Sequence, residues 1–153
     1  DKADKRSNEF VLYGKNGEDP YDDNVKRMDA HGGWLASPID LLRFAVRVDG
    51  KPGKADIVSA AQYTSMTTPT SYISGAINPA NYGKGWQFNS TAVFHDGALP
   101  GMQSRMVIMN NGFSYAIIVN SRFKGNNDFT GDFNDIMKEI MAEISGWPSY
   151  DLF

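Results

Sequence analysis

The residues that could do chemistry are few, and most of their arrangements fail on inspection. The chain has no cysteine and two histidines, His31 and His95. Disulfides and thiolate chemistry are therefore excluded, and there is no His-Glu-x-x-His or other zinc-ligand spacing. Gly83-Lys-Gly85 precedes a strand signal, without the helix whose free amides would hold a phosphate. Asn126-x-Asp128-x-Thr130-Gly131 imitates the opening of a calcium loop, but its twelfth position, which needs a bidentate Glu, is Met137. A polar loop whose Asp132 caps the following helix is the better reading. Ser121-Arg-Phe-Lys124 has a hydroxyl and an amine at the spacing of a nucleophile and its base. That pairing needs both groups on one face of a helix and the amine desolvated. Ser121 instead ends a strand pattern, and Lys124 precedes Gly125-Asn-Asn127, so the match reads as coincidence. His95-Asp96-Gly97-Ala98 remains, a histidine and a glycine at the end of a strand signal.

The elements that would position this tetrapeptide can be read from patterning. The 153 residues suit one ordinary globular domain, which buries roughly 70% of its unfolded surface without staples. No internal repeat or low-complexity segment argues for a second domain. A net charge of −3, without a basic stripe, argues against nucleic acid as a partner, and no apolar run approaches a membrane span. Residues 1–30 carry 14 of the 33 charged side chains and read as solvated loop around one short strand, Phe10–Tyr13. Residues 55–121 carry only Asp56, Lys84, Asp96 and Arg105, as expected for strands, buried surface and uncharged loop.

Ser37-Pro38-Ile39-Asp40 places a hydroxyl at the N-cap, proline at N1 and a carboxylate at N3 of a helix. Leu41, Leu42, Phe44, Ala45 and Val48 form its apolar face, and it should end near Asp49-Gly50. A second short helix starts at cap Ser59 and runs to Met66. Residues 67–82 form a long uncharged loop, either an active-site border or a floppy connector. Gly85–Phe88 and Thr91–His95 are short strand signals. Met102–Met109, Asn110-Asn-Gly112 and Phe113–Asn120 make a hairpin with an Asn-Gly turn. A last helix starts near Asp132, and Phe133, Ile136, Met137, Ile140, Met141 and Ile144 form one face that must dock on something apolar. The fold class is α+β: an antiparallel β-sheet with the C-terminal helix packed on it, preceded by short helices.

Several segments occur in a telling order. Gly32-Gly-Trp-Leu-Ala-Ser-Pro-Ile-Asp-Leu-Leu-Arg-Phe44 comes first, then Tyr82-Gly-Lys-Gly-Trp86, His95-Asp-Gly-Ala-Leu-Pro-Gly101, Ser104-Arg105 and a hairpin ending at Val119-Asn120. Over residues 28–146 this series resembles the C-terminal portion of the serine β-lactamase-related family. That family includes class C β-lactamases, penicillin-binding proteins, D-amino-acid-specific peptidases and certain esterases. The resemblance implies a partial β-lactamase/transpeptidase-like fold, with His95-Asp96-Gly97 standing for the family's third motif, Lys-Thr-Gly or His-x-Gly, on the strand bordering the active site. It implies catalytic roles for His95, as a polar group near the nucleophile, and for the Ala98 amide, as one of two oxyanion donors. Asp96, Gly97 and Tyr82 would border the substrate. Physical chemistry supports the motif independently: a strand edge offers backbone groups to an extended acyl substrate, and Gly97 permits close approach. Asp96 departs from the usual Thr, Ser or Gly and argues against recognition of a β-lactam carboxylate. The plainer alternative is a strand-end histidine and a turn glycine that serve only the fold, with Trp86 and Phe88 as core.

The family's other two motifs are absent. Ser121-x-x-Lys124 is the sole match to Ser-x-x-Lys, and no tyrosine has asparagine two residues later. The expectation is a chain of one domain or fragment, the C-terminal part of a serine hydrolase whose intact form transfers an acyl group from an amide or ester to water. Alone it would be inactive. It would need no cofactor or metal. Its partner would be an upstream segment bearing the nucleophile, or another copy of itself, in a periplasmic or extracellular setting. The rival from another class is a non-catalytic binding or scaffold domain that kept the fold.

Overall fold

Helices begin in this protein where a side chain can satisfy the first free amides. In the computed structural model, which describes residues 5–15, 17–70, 81–122 and 129–151, α1 is a single turn, Val25–Met28, capped by Asn24 and followed by a 3₁₀ turn, Asp29–His31. Helix α2, Pro38–Ala45, opens with a reciprocal box: Ser37 Oγ accepts from the Asp40 amide at 3.2 Å, and Asp40 Oδ2 accepts from the Ser37 amide at 3.0 Å. Helix α3, Ala60–Met66, repeats the device with Ser59 and Gln62. The α2 pattern was expected to run to Asp49-Gly50, but the α-helix stops at Ala45. Arg47 and Val48 donate to the carbonyls of Phe44 and Ala45, three residues back, and the Arg47 carbonyl accepts from Ile57. A tightened last turn thus hands the chain on while keeping Val48 buried.

The strands β1 (Gln87–Phe88), β2 (Ala92–Leu99), β3 (Met102–Met109) and β4 (Ser114–Val119) form an antiparallel sheet in the order β1-β2-β3-β4. The Asn-Gly hairpin forms as its sequence dictates, with Gly112 at φ 99° and Met109 and Phe113 closing the ladder. Strand β2 runs past His95 to Leu99, so Gly97 is a strand residue and not a turn; the turn is Pro100-Gly101.

The residues gather into two compact units. In the unit of residues 35–96 and 104–118, the end of α2 packs on the sheet: Ala45 and Val48 meet Trp86, Val93 and Ile108, with Val58, Met66, Phe88 and Met106 around them. Trp86 is core, as expected. In the unit of residues 1–34, 97–103 and 119–153, the Phe10–Tyr13 strand shrinks to one parallel bridge between Tyr13 and Ser121. Ser121 is therefore extended and not helical, while Lys124 lies outside the described residues, as do Asn126, Asp128 and most of the 67–82 loop.

Helix α4, Thr130–Glu143, starts two residues before the expected Asp132. Asp132 lies in the first turn and is not the N-cap. The N-cap is Phe129, whose amide is satisfied from β3: Gln103 Oε1 accepts it at 3.0 Å, and Gln103 Nε2 donates to Thr130 Oγ1 at 3.0 Å. The six-residue apolar face docks only in part. Phe133 is buried and stacks on Phe129, while Ile136 and Ile140 are 47% and 44% exposed.

That distribution fixes which residue anchors the helix. Phe133→Ala should cost about 3–5 kcal/mol in chemical denaturation, whereas Ile140→Asp, on the open side, should cost less than about 1 kcal/mol. The α2 box adds an acid sensitivity. Hydrogen bonding from the Ser37 amide, then from the Ser37 hydroxyl, with Arg43 nearby, holds the Asp40 carboxyl below the usual carboxylate range. A lowered folded-state value stabilises fully above the unfolded one and is lost as the pH falls through it. Thermal melts below about pH 4 should therefore lose more stability in the wild type than in Asp40→Asn, which has already lost the charged acceptor.

Candidate active site strand

Successive side chains of a strand point to opposite faces, and β2 uses this to divide its polar residues. Phe94 and Asp96 turn to Arg105 of β3. The Arg105 guanidinium lies 4.5 Å above the Phe94 ring, and its Nη1 reaches Asp96 Oδ1 at 3.1 Å. The Arg105 side chain is 7% exposed and that of Asp96 28%. A buried guanidinium needs a carboxylate, and Asp96 is that carboxylate. The family resemblance implied a place for Asp96 beside the substrate; its ion pair with Arg105 neutralises the charge that was expected to repel an anion. The signal was present: only four charged residues occur between 55 and 121, and Asp96 and Arg105 are two of them, on neighbouring strands.

Val93 and His95 point to the other face. Val93 joins the core, and His95 meets Tyr82: the Tyr82 hydroxyl lies 3.1 Å from His95 Nε2, and the rings meet edge-on at 6.1 Å and 73°. His95 Nδ1 lies 2.7 Å from the Asp96 carbonyl oxygen. A carbonyl only accepts, so Nδ1 carries the proton; in a neutral imidazole Nε2 then accepts, and Tyr82 donates.

Tyr82 is mounted by its backbone. Its carbonyl accepts from Thr70 at 3.3 Å, and it bridges Gln87 of β1 antiparallel. The next residues are fastened in turn: the Gly83 amide donates to the Trp86 carbonyl at 2.8 Å, and the Lys84 amide donates to the Met66 carbonyl at 2.9 Å. Lys84 Nζ also donates to Ser65 Oγ, so this Gly-Lys-Gly run is tied to α3. Gly83 is glycine because a Cβ there would lie 2.0 Å from the Met66 carbonyl oxygen.

Beyond His95, Gly97 and Ala98 continue β2, and Ala98 is exposed. Strand β1 opposes only Val93 and Phe94. Of the expected site residues, Tyr82 and His95 are in hydrogen-bond contact, Asp96 faces Arg105, and Gly97 and Ala98 lie along the strand that carries both. Among the described residues no group of three His, Asp or Glu side chains could hold a metal ion, and no helix is long and apolar enough to cross a membrane.

The ion pair can be tested by its asymmetry. Arg105→Leu leaves Asp96 without its counter-charge and should cost roughly 2–4 kcal/mol. Adding Asp96→Asn should recover part of that loss, which denaturation of both single variants and the double variant measures directly.

Comparison with known proteins bears on the family. The family model described as Beta-lactamase matches residues 3–139 of the chain. No curated protein and no solved structure matches it. The match spans most of the 153 residues, including α2, Tyr82, the whole of β2 and the Asn-Gly hairpin. The chain belongs to the Beta-lactamase family.

Proposed function

We propose that this chain supplies the carbonyl-binding strand of a serine acyl hydrolase, acting on an amide or ester through an acyl-enzyme. The observation that carries this reading is the edge of β2. From His95 onward, a histidine, a glycine and an exposed Ala98 follow one another on a strand that β1 does not oppose. Such an edge can hold an extended acyl group by its backbone, Gly97 leaves room for close approach, and the Ala98 amide is one donor toward a developing oxyanion. Pre-aimed donors of this kind stabilise charge without reorganising at the moment of reaction.

The nucleophile and its base come, on this reading, from polypeptide other than these 153 residues. A helical Ser-x-x-Lys and a Tyr-x-Asn would be carried by an upstream segment of the same protein or by a partner chain. The division follows from charge development: oxyanion donors can only stabilise what a nucleophile has created.

The test is acylation. The chain alone should form no covalent adduct with a labelled penicillin or a fluorophosphonate. Joined to an upstream segment bearing the helical Ser-x-x-Lys, it should become labelled at that serine. In the joined protein Ala98→Pro, which deletes the amide proton, should slow acylation by about 10²-fold or more, with an unchanged circular dichroism spectrum confirming that the strand survives. Failure of the joined protein to acylate would favour a binding or scaffold domain. Labelling of the isolated chain at Ser121, abolished by Lys124→Ala, would move the chemistry to that pair.

A further inference from the structure

We propose that Tyr82 is a positioning residue for His95, holding the imidazole as the Nδ1–H tautomer with Nε2 committed as a hydrogen-bond acceptor. This rests on the reading of β2 as the carbonyl-binding strand, but its geometry stands on the two side chains alone. His95 is held at both ring nitrogens: by the Asp96 carbonyl oxygen at 2.7 Å on Nδ1 and by the Tyr82 hydroxyl at 3.1 Å on Nε2. Bonds at both ring nitrogens fix its rotation as well as its tautomer, because a ring flip would set a C–H against the carbonyl oxygen and the other tautomer would set a lone pair there.

Nothing local in β2 supplies the second of these bonds. It comes from a residue thirteen positions earlier, whose backbone is pinned by Thr70 on one side and Gln87 on the other. Gly83 lets the chain lie close against the Met66 carbonyl directly after Tyr82. The hydroxyl therefore arrives at Nε2 on a framework set before any substrate binds, as a positioning group must. On the opposite face of β2, Asp96 and Arg105 of β3 engage each other.

The arrangement has a chemical consequence. While the ring is neutral, an Nε2 that accepts can exchange Tyr82 only for another donor, such as a substrate N–H or O–H. A carboxylate or carbonyl oxygen has no proton to offer it. Within the acyl-hydrolase reading, this matches the site to amides or hydroxyl-bearing esters better than to an anionic group at this position.

Nitrogen-15 chemical shifts of the imidazoles in the uniformly labelled chain test the assignment, with His31→Gln used to separate the two histidines. At a pH where His95 is neutral, its Nδ1 should show the pyrrole-type shift and its Nε2 the pyridine-type shift, displaced by an accepted hydrogen bond. In Tyr82→Phe the Nε2 signal should move toward the unbonded pyridine-type value and the ring should sample both tautomers, while His31 in a protein retaining both histidines stays put. A wild-type ring protonated at Nε2 would overturn the assignment without recourse to any variant. So would an Nε2 signal indifferent to Tyr82→Phe, which would leave Tyr82 as a packed ring. In the joined, acylating protein Tyr82→Phe should lower kcat/KM about tenfold with the melting temperature unchanged, and an equal rate would overturn the positioning role. Complete absence of acylation in the joined wild type would sink the hydrolase reading and leave the tautomer result standing.

Discussion

One buried guanidinium organises the strand on which the functional reading depends. Arg105 lies among strands with its side chain almost wholly out of water, stacked on Phe94 and paired with Asp96. Removing a guanidinium from water is costly unless a carboxylate and a polarisable face replace the lost solvation. Once Phe94 and Asp96 are committed to that task, the two-residue period leaves no choice for their neighbours. Val93 and His95 must occupy the other face, where Val93 completes the core with Trp86, Ala45, Val48 and Ile108 and His95 meets Tyr82. The middle residue of the His-Asp-Gly run thus acts behind the strand, and its partner on β3 sets the face on which the histidine appears.

Local physics made much of the architecture legible in the sequence. Ser37 with Asp40 announced a helix start because both ends of the capping exchange lie within four residues, and Asn111-Gly112 announced a hairpin because Gly112 supplies the positive φ that the turn requires. What escaped was satisfied from far away. The start of α4 looked like the work of Asp132, yet its first amide is answered by Gln103, 26 residues earlier. The end of α2 looked like Gly50, yet hydrogen bonds linking 47 to 44, 48 to 45 and 57 to 47 close it sooner. The periodicity of α4 was read correctly as amphipathic, but period alone does not say how much of an apolar face finds a surface; Phe133 does, and Ile136 and Ile140 stay open.

The site shows the same division. His95, Gly97 and Ala98 were singled out because they fall within four residues, and a strand carrying His-x-Gly has its own pattern. Tyr82 was placed at the rim through the family resemblance, but its bond to Nε2 depends on a path through Thr70, Met66 and Gln87 that no window of sequence displays. Arg105 was quoted without a role. Charge scarcity, rather than periodicity, was the signal that should have paired it with Asp96.

Among the described residues, β1 does not accompany β2 from His95 onward, and the cause lies in the chain that precedes β1. Gln87 opposes Phe94 and Phe88 opposes Val93, so Trp86 and Gly85 would next oppose His95 and Asp96 if β1 continued backward. They do not continue. The Trp86 carbonyl accepts from Gly83, Gly85 adopts φ 80°, and the Trp86 side chain is drawn into the core. The tight turn that ends β1 therefore does two things at once: it withholds β1 from His95 onward, and it swings Tyr82 back against Gln87, from where its hydroxyl reaches the imidazole. An unpaired strand edge is ordinarily a hazard, since any other strand can add to it. Here the edge is short and begins at a histidine held at both nitrogens. On the acyl-hydrolase proposal, that edge is the one that would hold a small extended ligand. Trp86, whose burial enforces the turn, is thus as much a determinant of the exposed backbone as the residues of the motif themselves.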